Sequence, residues 1–424
     1  MRNFLKVIPI VALLAVSCSG AVPEAEETAP VEAESPAPVS VDLNRTLTNQ
    51  MSSLDSLDLD IEAFLSRWGI RGMSLSVMRN DSLLYSRGYG IADEGRPMTP
   101  GTILRVASVS KLITAAGIMK LCDQGLLDIH DPVFGPEGIL KTYNDLIRDR
   151  RYYSITVEDL LRHEAGFTSK RSGDPLFSTR KLMREFKLED PPDREDLMHI
   201  LLPRPLAYFP GTANEYSNLG FLLLSYIIEE VTGTDYESWM QDNVLVPAGC
   251  TGMHIAHNYY EEKYPDETRY HMQRYDRPVP EYNNSGRDVE RCYGGNDIRA
   301  LSGAGAWVTS TPELARFVAS IDRCGIVPEV ISADAVDEMT RWYDRFTYSL
   351  GWNDTSPWSG WQRTGTFSGT NALIKYYPDG ECWILITNTN VFLGSKFSRY
   401  TSQLCNRCKA RHSGNLPLRN LFYE

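Results

Sequence analysis

At 424 residues with 42% hydrophobic content, the chain can bury a substantial core, as one large domain or two intimate ones. A formal charge of −12 and the lack of any basic tract exclude nucleic acid as the main partner.

Residues 1–17 read as a signal peptide. Arg2 and Lys6 precede a short apolar stretch, Val7 to Val16, interrupted by Pro9. A membrane span takes about 20 apolar residues, so this one is too short. Ala15-Val16-Ser17-Cys18 has the form of a bacterial lipoprotein box, which makes Cys18 the expected lipidation site; ordinary cleavage near Cys18 is the alternative. Residues 18–49 would then be the lipidated cysteine and a tether rich in Ala, Glu and Pro, without the apolar content to pack. The expectation is an exported cell-envelope lipoprotein, on the periplasmic face or at the outer membrane or cell surface. Export permits disulfides, yet Cys122, Cys250, Cys292, Cys324, Cys382, Cys405 and Cys408 are odd in number, leaving at least one thiol free or intermolecular. Cys405 and Cys408 have CxxC spacing but neither a second pair for zinc nor a thioredoxin-like context.

Leu54 to Trp68 has helical periodicity, with Leu57, Ile61, Phe64 and Leu65 on one face. Met73–Val77 and Leu83–Ser86 alternate at period two around Arg79-Asn80-Asp81, a β-hairpin signal. A short apolar run from Ile103 to Ala107 leads into Ser108, and from Lys111 an apolar helix carries Leu112, Ala115, Ala116, Met119 and Leu121. From Asp128 to about Ala300, helical pieces such as Val157–Leu161 and Phe221–Val231 alternate with long polar stretches, without useful period-two runs. Sheet character returns at Asn371–Tyr377 and Cys382–Thr389, around the turn signal Pro378-Asp379-Gly380-Glu381. Ser395 to Lys409 reads as a closing helix. The pattern predicts an α/β (α+β) fold: residues 50–124 and 300–424 form an antiparallel sheet flanked by helices on both faces, and 125–299 a mainly helical insertion domain.

Ser108 and Lys111 stand three apart, so they share a face in the first helical turn. A serine there feels the positive helix end and lies near an amine that burial makes easier to deprotonate. Ser-x-x-Lys is one of the few ways to activate a serine without histidine. The same spacing recurs at Ser178 and Lys181, among Arg180, Arg184, Glu185 and Lys187, where no buried helix is expected; that copy reads as chance. Tyr216-Ser217-Asn218 precedes the apolar helix at Phe221, and a tyrosine between cations would have its phenolate favoured as a proton shuttle. Taken alone, such residues are more often a packing ring and a cap, and Tyr282 to Asn284 repeats the spacing in an irregular loop. Arg363-Thr364-Gly365-Thr366 precedes the final hairpin, with a small glycine where backbone can approach a ligand.

In that order the three motifs resemble those of the serine β-lactamase and penicillin-binding-protein superfamily, in its class C-like branch. That branch takes in class C β-lactamases, D-Ala-D-Ala carboxypeptidases and family VIII esterases. Supporting stretches are Gly125-Leu126-Leu127-Asp128, Leu160 to Gly166, and Gly303-Ala304-Gly305-Ala306 leading to Ser310-Thr311-Pro312-Glu313-Leu314. The resemblance implies a β-lactamase/transpeptidase-like fold and an acyl-enzyme on Ser108. Lys111 and Tyr216 would move the proton, with the general base unassigned between them, and Asn218 would orient Lys111 and the substrate amide. The oxyanion hole would be the backbone N–H groups of Ser108 and Thr366, with Arg363, Thr364 and Gly365 binding substrate. Arg363 departs from the Lys or His usual there. Because arginine keeps its proton and binds carboxylates, it suggests a small-molecule or peptide substrate bearing a carboxylate near the scissile bond; pairing with a neighbouring acid is the alternative.

Glu164 resembles a structural loop residue of the branch rather than a deacylating glutamate, and His163 reads as a satisfied, partly buried histidine. His254 and His257 lack a third ligand nearby, so no metal and no cofactor are expected. No Gly-x-Ser-x-Gly elbow exists. The expected function is an exported serine hydrolase cleaving an amide or ester (peptide, β-lactam or small ester). A D,D-carboxypeptidase acting on peptidoglycan stem peptides and a non-catalytic binding or scaffold protein of the same fold are the alternatives.

Overall fold

The computed structural model describes residues 53–170, 173–273, 277–344 and 346–423. The expected signal peptide, lipidation site Cys18 and tether lie outside the described residues.

A six-stranded antiparallel sheet carries the architecture. Its strands are β1 (Gly72–Arg79), β2 (Ser82–Asp93), β3 (Arg96–Pro97), β4 (Trp361–Phe367), β5 (Thr370–Tyr376) and β6 (Glu381–Thr387), in the order β4-β5-β6-β1-β2-β3. The N-terminal hairpin and the C-terminal strands meet along β1 and β6, where Leu75 faces Leu385 in register. That long-range pairing leaves β4 as an edge.

Side-chain alternation feeds two different cores. Leu75 and Val77 of β1, Trp383 and Leu385 of β6 and Leu373 of β5 pack with α1 (Asp55–Trp68) and with Phe397, Leu404, Cys405 and Cys408. The last three belong to α5 (Ser398–His412). Ile384, Ile386 and Ile374 face the other way, into the larger cluster that holds α2 (Ser110–Asp123), α3 (Asn218–Thr232) and α4 (Thr311–Ala319). A sheet covered on both faces needs nearly continuous apolar strands, and β6 is buried throughout. Ser74 and Ser76, the polar residues of β1 that face α4, each bond Thr311 Oγ1, at 2.8 and 2.9 Å.

The closing helix begins three residues later than its sequence pattern suggests, because Gly394–Phe397 forms a 3₁₀ turn first. The CxxC pair, Cys405 and Cys408, sits on the buried face of α5, where desolvation pushes both thiols up. Cys122, Cys250, Cys324, Cys382, Cys405 and Cys408 are free thiols.

Between α2 and α4 lie the helices Val157–Leu161, Thr179–Phe186, Arg194–Leu201, α3 and Tyr236–Met240, with strands of only two or three residues among them. One short strand, Trp307–Thr309, pairs with both Leu104–Arg105 and His254–Ile255. This small sheet holds residues 303–309 against the start of α2, and so positions the site.

An acidic cluster lies at the far end of the sheet. Asp81, in the β1–β2 turn, is fully buried and accepts the backbone N–H groups of Ile326 and Val327, both at 3.0 Å, while its Oδ1 finds no donor. Burial and the neighbouring Asp81 charge push the Asp322 carboxyl well above the usual range. Glu329 is pushed up to about 7, by burial first and Asp81 second. A carboxyl whose folded pKa is raised binds a proton that the unfolded chain releases, so its contribution is retained at low pH and lost as pH rises through neutrality. Asp322→Asn keeps an acceptor for the Tyr376 hydroxyl, which bonds Asp322 at 2.9 Å. The variant should be more stable than wild type at pH 8 and gain least near pH 4, as checked by urea denaturation across that range.

Candidate active site

Ser108 sits in a 3₁₀ turn, Ala107–Val109, that runs directly into α2, two residues ahead of the helix's first residue rather than inside it. Ala107 before it has φ +48°, a left-handed conformation that costs a non-glycine residue about 1 kcal/mol and is held by its surroundings. Val106 N–H donates to Trp307 O at 3.0 Å on one side. On the other side β4 comes so close that a Cβ at Gly365 would lie 2.1 Å from Val106 O and 3.1 Å from Ser108 N. The glycine of the third motif is therefore required by the nucleophile's own turn, not by a ligand.

The first turn of α2 is polar on one face only. Ser110 Oγ accepts Trp307 N–H at 3.1 Å, Thr114 Oγ1 donates to Gly303 O at 2.7 Å, and Lys111 Nζ donates to Ala304 O between them. The Gly-Ala-Gly-Ala stretch is thus a backbone acceptor for the helix. Lys111 is fully buried. Its ammonium nitrogen also lies 2.7 Å from Asn218 Oδ1 and 3.4 Å from Ser108 Oγ, over the rings of Tyr216 and Phe221. Burial is the main cause that lowers its pKa, with Arg363 adding to it and Tyr216 and Asp174 opposing.

Asn218 and Tyr216 arrive with α3, whose N-cap is Ser217: its Oγ accepts Gly220 N–H at 3.1 Å. His163, in a left-handed turn and buried rather than partly exposed, accepts Ser217 N–H on Nδ1 at 3.2 Å and packs 4.5 Å from the Tyr216 ring. Burial, then the charges of Lys111 and Arg363, keep it neutral, as an acceptor requires. For Tyr216, burial alone would raise the phenol. The charges of Lys111 and Arg363 and hydrogen bonds with Lys111 and Ser108 outweigh it and bring the pKa down to about 8.

Arg363 differs from its expected role. Its side chain is fully buried, with Nε donating to Ser108 O at 2.8 Å and Nη2 to Tyr216 Oη at 3.3 Å. Nη1 is buried without an acceptor. A guanidinium with two nitrogens committed and the third shut off from solvent cannot offer a bidentate face to a substrate carboxylate, so that expectation is corrected. Nor does it pair with an acid: its partners are a carbonyl and a phenol. Thr364 is committed too, its N–H and Oγ1 both directed at Asn353 Oδ1, at 2.7 and 3.1 Å. Gln362 N–H also points off the open edge of β4, to Asp354 O at 2.8 Å. By the strand's alternation Thr366 N–H does the same, toward the side where the Ser108 turn packs.

Asp174 was not among the expected site residues. It is partly exposed, and its Oδ2 accepts Asn218 Nδ2 at 2.6 Å while Oδ1 caps the turn at Leu176 N, at 3.0 Å. The one sequence signal was Asp-Pro as a turn opener. Burial pushes the Glu164 carboxyl up, with Arg162 opposing and Asp159 and Glu158 adding to the rise. The second Ser-x-x-Lys does not form a second buried serine–lysine pair: Ser178 Oγ donates to Asp174 O at 2.8 Å. A helix does follow Ser178, but it is amphipathic, and Lys181 is about half exposed beside Glu185. Next to Tyr216, Ser217 and Asn218 a cavity of about 340 Å³ opens, walled by Phe167, Pro175, Leu201 and Leu219, with Asp174, Lys181, Glu185 and Arg204 among its polar residues.

A sheet covered on both faces, a helix opened by Ser-x-x-Lys and a Tyr-Ser-Asn cap across a cleft define a serine-hydrolase-like architecture. The Beta-lactamase family model matches residues 57–403, and the chain belongs to that family. It is 27% identical over 251 residues to a putative D-alanyl-D-alanine carboxypeptidase of Escherichia coli O157:H7, covering 57% of this chain and 53% of that one. The chain thus spans about half the length of that relative. It is 24% identical over 346 residues to the putative penicillin-binding protein PbpX of Bacillus subtilis (strain 168), covering 81% and 76%. Among solved structures, D-alanine carboxypeptidase AmpC from Burkholderia cenocepacia shares the fold with TM-score 0.59 and 19% identity, over 80% of this chain and 94% of that one. A D-stereospecific amidohydrolase from Streptomyces sp. does so with TM-score 0.60 and 19% identity, over 80% and 95%.

Two positive neighbours lower the Tyr216 phenol from the usual value of about 10. Removing one in Arg363→Met should move that phenol back up, by at least one pH unit or so. Ultraviolet titration of phenolate checks it: a single tyrosine ionising near pH 8 in wild type, absent in Tyr216→Phe and shifted upward in Arg363→Met.

Proposed function

We propose that this chain is an exported serine hydrolase that cleaves an amide or ester through an acyl-enzyme on Ser108. One observation carries the reading: Lys111 Nζ is buried with two partners that can only accept, Asn218 Oδ1 and Ala304 O, and beside two hydroxyls that can donate, Ser108 Oγ and that of Tyr216. A neutral amine spends two N–H bonds on the pure acceptors, and its lone pair then faces the hydroxyls of Ser108 and Tyr216. That is the orientation of a general base. Arg363 cannot lose its proton, so its charge stays beside Tyr216 and keeps the phenol easily ionised. The Lys111–Tyr216 pair takes the Ser108 proton as Oγ attacks the carbonyl and hands it to the leaving group as the acyl bond breaks. Water then attacks the acyl-enzyme, regenerating Ser108. The N–H groups of Ser108 and Thr366 would hold the oxyanion.

A substrate carboxylate, if one is present, needs a receptor other than Arg363. The relatives named D-alanyl-D-alanine carboxypeptidases favour a D,D-peptidase as the second reading. A non-catalytic scaffold is disfavoured, because a site without chemistry has no use for a buried, desolvated amine held against a serine.

Incubation with a fluorescent penicillin, an activated aryl ester and a fluorophosphonate, read by intact mass, should give an adduct that Ser108→Ala abolishes. Penicillin labelling over ester turnover would select the D,D-peptidase reading; no adduct with any reagent would overturn the hydrolase. Export and lipidation at Cys18 belong to the same proposal and rest on residues 1–18. Cys18→Ala in the full chain should shift the protein from the membrane fraction to the soluble one on cell fractionation.

A further inference from the structure

The base orientation of Lys111 depends on which end of the Asn218 amide faces it. With the oxygen toward Nζ, the amine must donate, and its lone pair stays free for Ser108. With the amide turned over, Asn218 would donate to Nζ, and a neutral Lys111 would spend its lone pair on the amide instead of the serine. Nothing in Asn218 itself selects between the two, since the amide ends are nearly the same size.

From this we infer that Asp174 is a positioning residue that locks the Asn218 amide and so aims the Lys111 lone pair at Ser108. The inference rests on the acyl-enzyme reading of the site. A carboxylate only accepts, so the 2.6 Å contact from Asn218 Nδ2 to Asp174 Oδ2 demands the NH₂ end and turns the oxygen to Lys111. Asp174 is itself fixed, because Oδ1 accepts Leu176 N–H at 3.0 Å and Pro175 opens the turn that follows. The chain of contacts runs Leu176 N–H, Asp174, Asn218, Lys111, Ser108, with one sense of donation at each link as far as Lys111. Asp174 also places a negative charge two contacts from the amine, which favours the protonated lysine and offsets part of its burial. Charges around Lys111 from the other packed elements are Arg363 on β4 and the Tyr216 phenol, with His163 neutral behind it.

Asp174→Asn removes both the charge and the one-way acceptor, yet keeps a side chain that caps turns well. Its amide can either accept from Asn218 or donate to it, so the lock is lost. The expected result is an acylation rate, with whichever reagent labels wild type, lower by about tenfold or more. The effect should fall on kcat with KM little changed, and the acid limb of the kcat/KM profile should move to lower pH. Asp174→Glu, which keeps the charge and the acceptor, should leave that limb near its wild-type position. A wild-type rate in Asp174→Asn, or a loss of rate with an unmoved acid limb, overturns the positioning role while leaving the acyl-enzyme reading intact. If wild type itself takes no label, that reading falls and the inference falls with it. Thermal melts of each variant separate a folding defect from the loss of Asp174's contact and charge, since a folding defect alone leaves the pH profile where it was.

Discussion

Everything at this site depends on one buried amine. Lys111 lies in the first turn of α2, out of reach of water, and burial of an ammonium is costly unless its three donors are met. They are met by Ala304 O, Asn218 Oδ1 and Ser108 Oγ, three groups from three separate stretches of chain. The cost of desolvation is what lowers the proton affinity of the amine, and the choice of partners is what directs its lone pair. The same environment acts in reverse on Tyr216, where two cations outweigh burial and bring the phenol down to about 8. Two groups whose ordinary pKa values lie close together near 10 are thereby both lowered toward neutrality. Proton exchange between them becomes cheap, as acyl transfer near neutral pH requires.

The rest of the fold can be read as support for that arrangement. The small sheet formed by Trp307–Thr309 holds residues 303–307 against α2, supplying an acceptor or donor to Ser110, Lys111 and Thr114 in turn. The cap of α3 delivers Tyr216 and Asn218, and buried His163 fixes that cap through Ser217 N–H. Edge strand β4 brings Arg363 under the carbonyl of Ser108 and leaves its outward N–H groups unpaired by sheet. An edge strand is normally a liability, and here one side of it is covered by the nucleophile's own turn.

Much of this was legible in the chain itself. Period-two runs at Met73–Val77 and Asn371–Tyr377 announced the sheet. An apolar helix after Ser108 announced a buried lysine. Tyr216-Ser217-Asn218 carried its own cap signal, and three motifs in order pointed to the family that residues 57–403 match. These are local patterns, fixed by backbone periodicity and by which side chains can cap or pack.

Tertiary structure decided the rest. Arg363 looked like a receptor for a carboxylate because arginine usually is one; only the fold shows it facing Ser108 O and Tyr216 with its last nitrogen sealed off. Gly365 looked like room for a ligand and is room for Val106 O. Asp174 stands 44 residues from Asn218 in a polar stretch without any periodic signal, and its role exists only as a 2.6 Å contact. Residue type and spacing determine what a side chain is able to do. Which partner it does it with depends on which distant segments the sheet and the buried helix bring together, and that is a property of packing rather than of sequence order.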